Sequence, residues 1–343
     1  MKVTENTTYR MLQTNLDRIT SKLENTRFQG ATGIKLNKPS DDPASIRPVL
    51  TTRTQIRHTE RYLETMGVTL DKMESTDGHL AHVENIMVRA KEIAISSINS
   101  GMSTEDLSTL ADEISQLRQE LLDSANAKVD GKYIFSGYEE NTIPFVENPA
   151  YIPAAVPPAL PIPGQYDPTD STTWPYLYQG DNNPTELEIT PGEYLETNLT
   201  GNDLFFGVSN TTWADSPPAA NQSDTGRIDI FSVLTRVEEA IRAGNVDDPL
   251  GAGGSIQTQI DNLEVGADQE RRLRSQLGNK ASRVESAMLH QEDVKIDLEQ
   301  ILSRYQDTDA IENFNDIVKQ ETAFQAALSI TSKVSQISIL DYF

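Results

Sequence analysis

The sequence predicts a mainly α-helical protein, an elongated helical bundle built from both chain ends with a β-containing insert between them. Two observations carry that prediction. Residues 141–225 hold 13 of the 17 prolines, both tryptophans and no lysine or arginine. Proline lacks a backbone donor and breaks helix interiors, so this zone is closed to long helices. Both flanks show the opposite pattern, apolar residues recurring at alternating spacings of three and four. That alternation keeps one stripe facing a partner along a supercoiling helix pair.

The first flank opens with Leu12, Leu16, Ile19 and Leu23 on such a stripe. Leu63, Met66, Leu70 and Met73 follow, then Leu80, Val83, Met87, Ala90 and Ala94. A further run uses Leu107, Leu110, Ile114, Leu117 and Leu121. It is introduced by Ser103 with Asp106 three residues on, a capping box in which each side chain satisfies a free helix-end amide. In the middle zone, residues 149–168 (PAYIPAAVPPALPIPGQYDP) read as an extended polyproline-like excursion. Alternation through TELEITPGEYLETNL predicts two short strands around the Pro191-Gly192 turn. The second flank places Leu273, Leu277, Val284, Ala287, Val294, Leu298, Ile301 and Tyr305 on one heptad grid, interrupted by Lys280 and Gln291. A last helix follows with Ala327, Ile330, Val334, Ile337 and Leu340 on the same kind of seam.

The two outermost stripes differ from the inner ones. Residues 1–23 and 323–343 mix small and β-branched apolar side chains with many Thr, Ser, Gln and Asn. Isolated helices of this length are marginal in water, so each end needs the other, or a neighbouring molecule, to stay folded. A terminal coiled coil used for assembly is the expectation.

Composition narrows the function. The 343 residues carry 52 acidic and 29 basic side chains, a formal charge of −23. Phosphate backbones and anionic membrane surfaces repel such a chain, so neither nucleic acid nor membrane is an expected partner. No cysteine is present, which removes thiolate nucleophiles, zinc–cysteine sites and disulfides. The amino terminus, MKVTENTTYRMLQTNL, lacks the apolar core of a cleaved signal peptide.

A search for catalytic machinery returns no enzyme and no cofactor. There is no phosphate-cradling glycine loop before a Lys-Ser or Lys-Thr pair, no nucleophile elbow and no HExxH helix. His79 and His82 sit at i and i+3, too few ligands for a complete metal site. Asp307, Asp309 and Glu312 lack the glycine and ligand order of an EF-hand loop, and helix capping by Asp307 or Asp309 explains them. The sequons at Asn198, Asn210 and Asn221 read as coincidence in a Thr/Ser/Asn-rich region.

The stretch ATGIKLNKPSDDPAS, residues 31–45, is a sharply specified loop-to-helix junction. Gly33 allows a left-handed turn, and Asn37 is suited to bonding local backbone. Ser40, Asp41 and Asp42 place cap oxygens directly before Pro43, a residue suited to the first helical position. Pro48, five residues on, predicts that the helix begins or kinks there.

The run from Thr32 to Ala44 resembles the amino-terminal signature of the flagellin superfamily. The block EISQLRQELLDSANAKVDGKYIFSG, residues 113–137, is similar to that superfamily's junction between a helix and a β-hairpin, and AFQAALSITSKVSQISILDYF resembles its closing helix. Within the superfamily, Pro39-Ser40-Asp41-Asp42-Pro43, Tyr178-Gln179-Gly180-Asp181 and the ending Ser338–Phe343 resemble the branch at the hook–filament junction rather than filament subunits. The resemblance implies segments 1–44 and 306–343 as a coiled coil, 45–140 and 226–305 as rod helices, and 141–225 as a displayed central domain. It further implies uncleaved export to the extracellular flagellum, a ring of identical subunits, and contacts with hook-associated protein 1, flagellin and an export chaperone. A filament subunit and a cytoplasmic coiled-coil scaffold are the competing readings.

Overall fold

Long helices form where the 3–4 apolar stripe runs, in the two flanks of the proline-rich zone. The structure, a computed structural model, describes residues 2–38, 40–98, 101–153, 165–215, 219–247 and 254–340. Side chains of residues 2–6, 8, 9 and 334–340 lie outside that description. The helices are α1 (Lys2–Thr32), α2 (Pro43–Ser97), α3 (Thr104–Ala125), α4 (Gly201–Leu204), α5 (Ile230–Ala243), α6 (Ile256–Gln306) and α7 (Ala310–Leu340). Six short strands lie between α3 and α4: β1 (Lys128–Val129), β2 (Lys132–Tyr133), β3 (Phe145–Glu147), β4 (Tyr176–Tyr178), β5 (Glu186–Thr190) and β6 (Glu193–Glu196). The mainly helical class with a central β-containing region is as the sequence predicts.

The chain divides into two units, one of residues Met1–Arg61 with Gln291–Phe343, the other Tyr62–His290. In the second unit the expected stripes are buried: Met66, Met73, Leu80, Val83, Met87, Ala90 and Ala94 from α2, with Ile114, Leu117 and Leu121 from α3. The capping box forms as predicted, the Asp106 amide donating to Ser103 Oγ while Asp106 Oδ2 accepts from the Ser103 amide at 3.0 Å. The grid of α6 begins earlier than Leu273. Ile256, Gln259, Leu263, Gly266 and Glu270 continue it backwards in the same three-and-four rhythm, and all are buried.

The β-containing region consists of three two-stranded antiparallel pairs, β1–β2, β3–β4 and β5–β6. Asp130 and Gly131 both have positive φ, 52° and 79°, the geometry a tight two-residue hairpin requires. The predicted strands around Pro191-Gly192 pair as β5 and β6, with Leu187 opposite Leu195 and Gly192 at φ 84°. An aromatic cluster fills the space between these pairs and α5. Phe145 lies 5.1 Å from both Phe205 and Phe231, and Tyr176 lies 4.5 Å from Phe231. Aromatic pairs at such separations contribute about 0.5–1.5 kcal/mol each beyond their buried area.

Of the proline-rich stretch 149–168, residues 154–164 lie outside the described residues. Its two ends are anchored. Ile152 and Gln165 form a parallel bridge, the Tyr151 hydroxyl donates to Glu239 at 3.0 Å, and Trp174 Nε1 donates to the Asp167 carbonyl at 3.0 Å. The three sequons are structural: Asn221 is buried, Asn198 Oδ1 accepts the Thr185 amide, and Asn210 Oδ1 accepts from Thr200.

Candidate assembly site

The unit formed by the chain ends is held by two features, the pairing of α1 with α7 and a backbone clasp between their adjoining loops. Along α1, Leu12, Leu16 and Ile19 are half-buried and Leu23 is buried, so the predicted stripe is the face that packs. On α7 the packed positions are Asn313, Ile317, Gln320, Phe324, Ala327 and Thr331, again alternating four and three. The helices run antiparallel, with Gly30 against Asn313 and Arg27 Nη2 2.5 Å from Glu321 Oε1. A Cβ at Gly30 would sit 2.6 Å from Asn313 Oδ1, so glycine permits the close approach there.

One predicted seam residue lies outside the α1–α7 contact. Ile330 is 53% exposed and does not share the face of Ala327 that packs on α1. The rhythm steps four residues from Ala327 to Thr331, where the sequence reading stepped three to Ile330. Both steps fit a 3–4 pattern, and the one that packs within the chain ends on the more polar residue. The side chains of Val334, Ile337 and Leu340 lie outside the described residues.

The loop after α1 behaves as its residues dictate. Gly33 takes φ 71°, a left-handed turn. The Asn37 side chain donates to the Ile34 carbonyl at 3.2 Å. Asp41 Oδ2 accepts from the Asn37 and Lys38 amides at 3.1 and 2.8 Å. Asp42 caps α2, taking the Ala44 and Ser45 amides on Oδ1 and the Ser45 hydroxyl on Oδ2, with Pro43 in the first helical position. The Ser45 hydroxyl and these amides hold the Asp42 carboxyl below its ordinary range. Ser40 is exposed and Pro39 lies outside the described residues. Pro48 does not start the helix: α2 begins at Pro43 and contains Pro48. The cap at Asp42 nucleates the first turn before the missing Pro48 donor is felt.

The clasp itself was invisible to sequence reasoning. The Lys35 amide donates to the Gln306 carbonyl at 2.8 Å, and the Thr308 amide donates to the Gly33 carbonyl at 2.9 Å. Arg53 Nη2 adds a bond to Gln306 Oε1 at 2.9 Å. These partners are some 270 residues apart, and backbone pairing of two irregular loops leaves no periodic trace. Asp309, by contrast, caps α7 through the Ile311 and Glu312 amides, one of the two options read from sequence.

Around this framework lies uncovered apolar surface. Ile311 is 76% exposed and Phe314 66%, with Val318, Leu328, Met11, Phe28 and Leu50 also exposed. Among the described residues no group of three or more His, Asp or Glu side chains is gathered for a metal, and His82 Nε2 lies 4.0 Å from Glu120. No described helix is long and apolar enough to cross a membrane. The arrangement is suited to binding other protein surfaces.

Known proteins agree with this class. The model of the bacterial flagellin N-terminal helical region matches residues 3–140, and that of the C-terminal helical region matches residues 255–343, most of the chain between them. The chain belongs to the flagellin superfamily, whose members here are structural components of the flagellum. More particularly, it is similar to flagellar hook-associated protein 3 of Escherichia coli K12, 23% identical over 97% of each chain. It is also 22% identical to polar flagellin F of Vibrio parahaemolyticus, over 98% of this chain and 97% of that one. Among solved structures it shares its fold with a flagellar hook-associated protein from Vibrio parahaemolyticus, at TM-score 0.58 and 13% identity over 78% of this chain and all of that one. FlgL of Xanthomonas campestris matches at TM-score 0.52 and 16% identity, over 72% of this chain and 98% of that one.

Proposed function

We propose that this chain is the hook–filament junction subunit of a bacterial flagellum, a protein that self-assembles into a ring and adapts hook to filament. The observation that carries the proposal is the pairing of α1 with α7, which leaves Ile311 and Phe314 uncovered although the pair is formed. A helix pair finished within one chain has no use for such residues. A helix pair that packs side by side with its copies does. The resemblance of the full chain to hook-associated protein 3 supports the junction over other flagellar positions. On this reading hook-associated protein 1 lies on one side, flagellin on the other, and a chaperone escorts the subunit to the flagellar exporter before it reaches the cell exterior. Assembly requires no catalysis.

Gold-labelled antibody on intact flagella tests the position. A single band at the hook–filament boundary supports the junction. Label along the whole filament would instead make the chain a filament subunit, the reading favoured by its similarity to polar flagellin F.

A further inference from the structure

We propose that the cleft beside Trp213 in the central domain is a binding site for a cationic side chain of a partner protein. The cleft encloses about 640 Å³, and Tyr178, Phe206 and Trp213 form its apolar wall while Glu139, Asp181 and Asp215 line it. That volume lies within the range of specific ligand sites, roughly 300–1,000 Å³. The Tyr178 and Trp213 rings meet edge to face with centroids 5.5 Å apart, which holds the half-buried indole in place.

The charge of the cleft is one-sided and uncompensated. Residues 141–225 contain eleven Asp and Glu and no Lys or Arg. The nearest cations along the chain are committed elsewhere, Lys132 to Glu140 and Arg227 to Asp203. Glu139 and Asp215 have no side-chain partner among the described residues. Asp181 spends Oδ1 on the Tyr138 and Asn183 amides, at 2.8 and 3.1 Å, while its carbonyl lies 2.8 Å from the Tyr178 hydroxyl. Burial raises the Tyr178 hydroxyl well above the tyrosine range, and the charges of Asp181, Asp215 and Glu139 push the same way. The three carboxylates line the same cleft. No metal-binding group is assembled from them. An ammonium or guanidinium fits, because an aromatic wall and separate carboxylates attract it together.

The test uses the full chain with its tryptophan indole N–H resonances followed by NMR. The probes are acetyl-glycyl-lysyl-glycine amide and acetyl-glycyl-arginyl-glycine amide, with the glutamine tripeptide as the neutral comparator. A saturable shift of the Trp213 signal with a cationic peptide, absent with glutamine, is expected. Binding should weaken about tenfold in the Glu139→Gln/Asp215→Asn double variant and in high salt, as an ion-driven contact does. Both replaced side chains are exposed and unpaired, so an unchanged melting temperature and an unmoved Trp174 signal establish that the fold survives. Equal response to all three peptides, no saturable response, or unchanged affinity in the double variant overturns the proposal. So does saturation by a neutral oligosaccharide with none by the cationic peptides, which would make the cleft a sugar site.

Discussion

Two neighbouring residues of α6 show how much one side chain decides. Gln269 and Glu270 are each 1% exposed. The amide of Gln269 donates to the Leu204 and Ile228 carbonyls at 2.7 and 3.2 Å and accepts the Ile228 amide at 3.0 Å. Neither oxygen of Glu270 has a partner among the described residues, and burial, with the Glu84 charge, raises its carboxyl well above the ordinary range. The consequences are opposite. Gln269→Leu strands a buried amide and two carbonyls and should lower stability by about 2–3 kcal/mol. Glu270→Leu removes an unpaired buried acid from an apolar seam and should raise stability at neutral pH by about 1–3 kcal/mol. Thermal or denaturant unfolding of both variants checks this, and a destabilised Glu270→Leu would refute the second. Asp229 adds a pH dependence. It caps α5 through the Phe231 and Ser232 amides, yet burial pushes its carboxyl up to about 7. Its proton is held more tightly folded than unfolded. The stability it contributes is therefore complete below the unfolded value near 3.8 and is lost as pH rises through about 7. Asp229→Asn keeps a capping oxygen without titrating, so the fall in melting temperature between about pH 5 and pH 8 should shrink relative to the parent. Glu270 escaped the sequence reading because the stripe was begun at Leu273; extending the same rhythm back to Ile256 would have exposed an acid at a seam position.

At the scale of elements, the features legible in sequence were the local ones. Capping by Ser103 and Asp42, the turn at Pro191-Gly192 and the stripes of α1, α2, α3 and α6 each rest on residues a few positions apart. The side of α7 that packs on α1 passes through Thr331 and leaves Ile330 exposed, because a 3–4 rhythm permits two next steps and only the partner helix chooses. The aromatic cluster joining β3, β4 and α5 was out of reach, since Phe145, Phe206 and Phe231 come together by tertiary packing alone. The proline-rich stretch is a mixed case. Extended proline-rich chain contributes little to a core, yet at the two ends of 149–168 Tyr151 and Asp167 bond to Glu239 and Trp174. A finer test follows from those anchors. Replacing residues 154–164 with a Gly-Ser linker of equal length keeps the crossover that the parallel Ile152–Gln165 bridge requires and leaves both anchors in place, so the melting temperature should not change. Removing all of 149–168 deletes the Tyr151–Glu239 bond and the Asp167 carbonyl that accepts from Trp174, and should lower it clearly. Equal melting of the two variants would contradict the assignment of the anchors.

For the whole molecule the decisive division is between apolar surface that completes one chain and apolar surface that awaits another. Leu16 and Leu23 on α1 belong to the first kind, being half-buried and buried against α7. Ile311 and Phe314 belong to the second, at 76% and 66% exposed. Residues already in water lose almost nothing in the isolated chain when made polar. The same residues buried between copies would place a charge in an apolar contact, at a cost of several kcal/mol per subunit. The acidic character of the chain sharpens the contrast, because a net charge of −23 makes copies repel and leaves apolar contact to drive association. Two double variants separate the roles. Ile311→Asp/Phe314→Asp should melt with the parent as a dilute monomer but fail to restore motility in cells lacking the native subunit, with filament protein shed into the medium. Leu16→Asp/Leu23→Asp should fail in both assays, since it breaks the α1–α7 pair before any assembly. Normal, motile filaments from the Ile311/Phe314 variant would show that this surface is not the assembly face, even if the α1–α7 pair is intact.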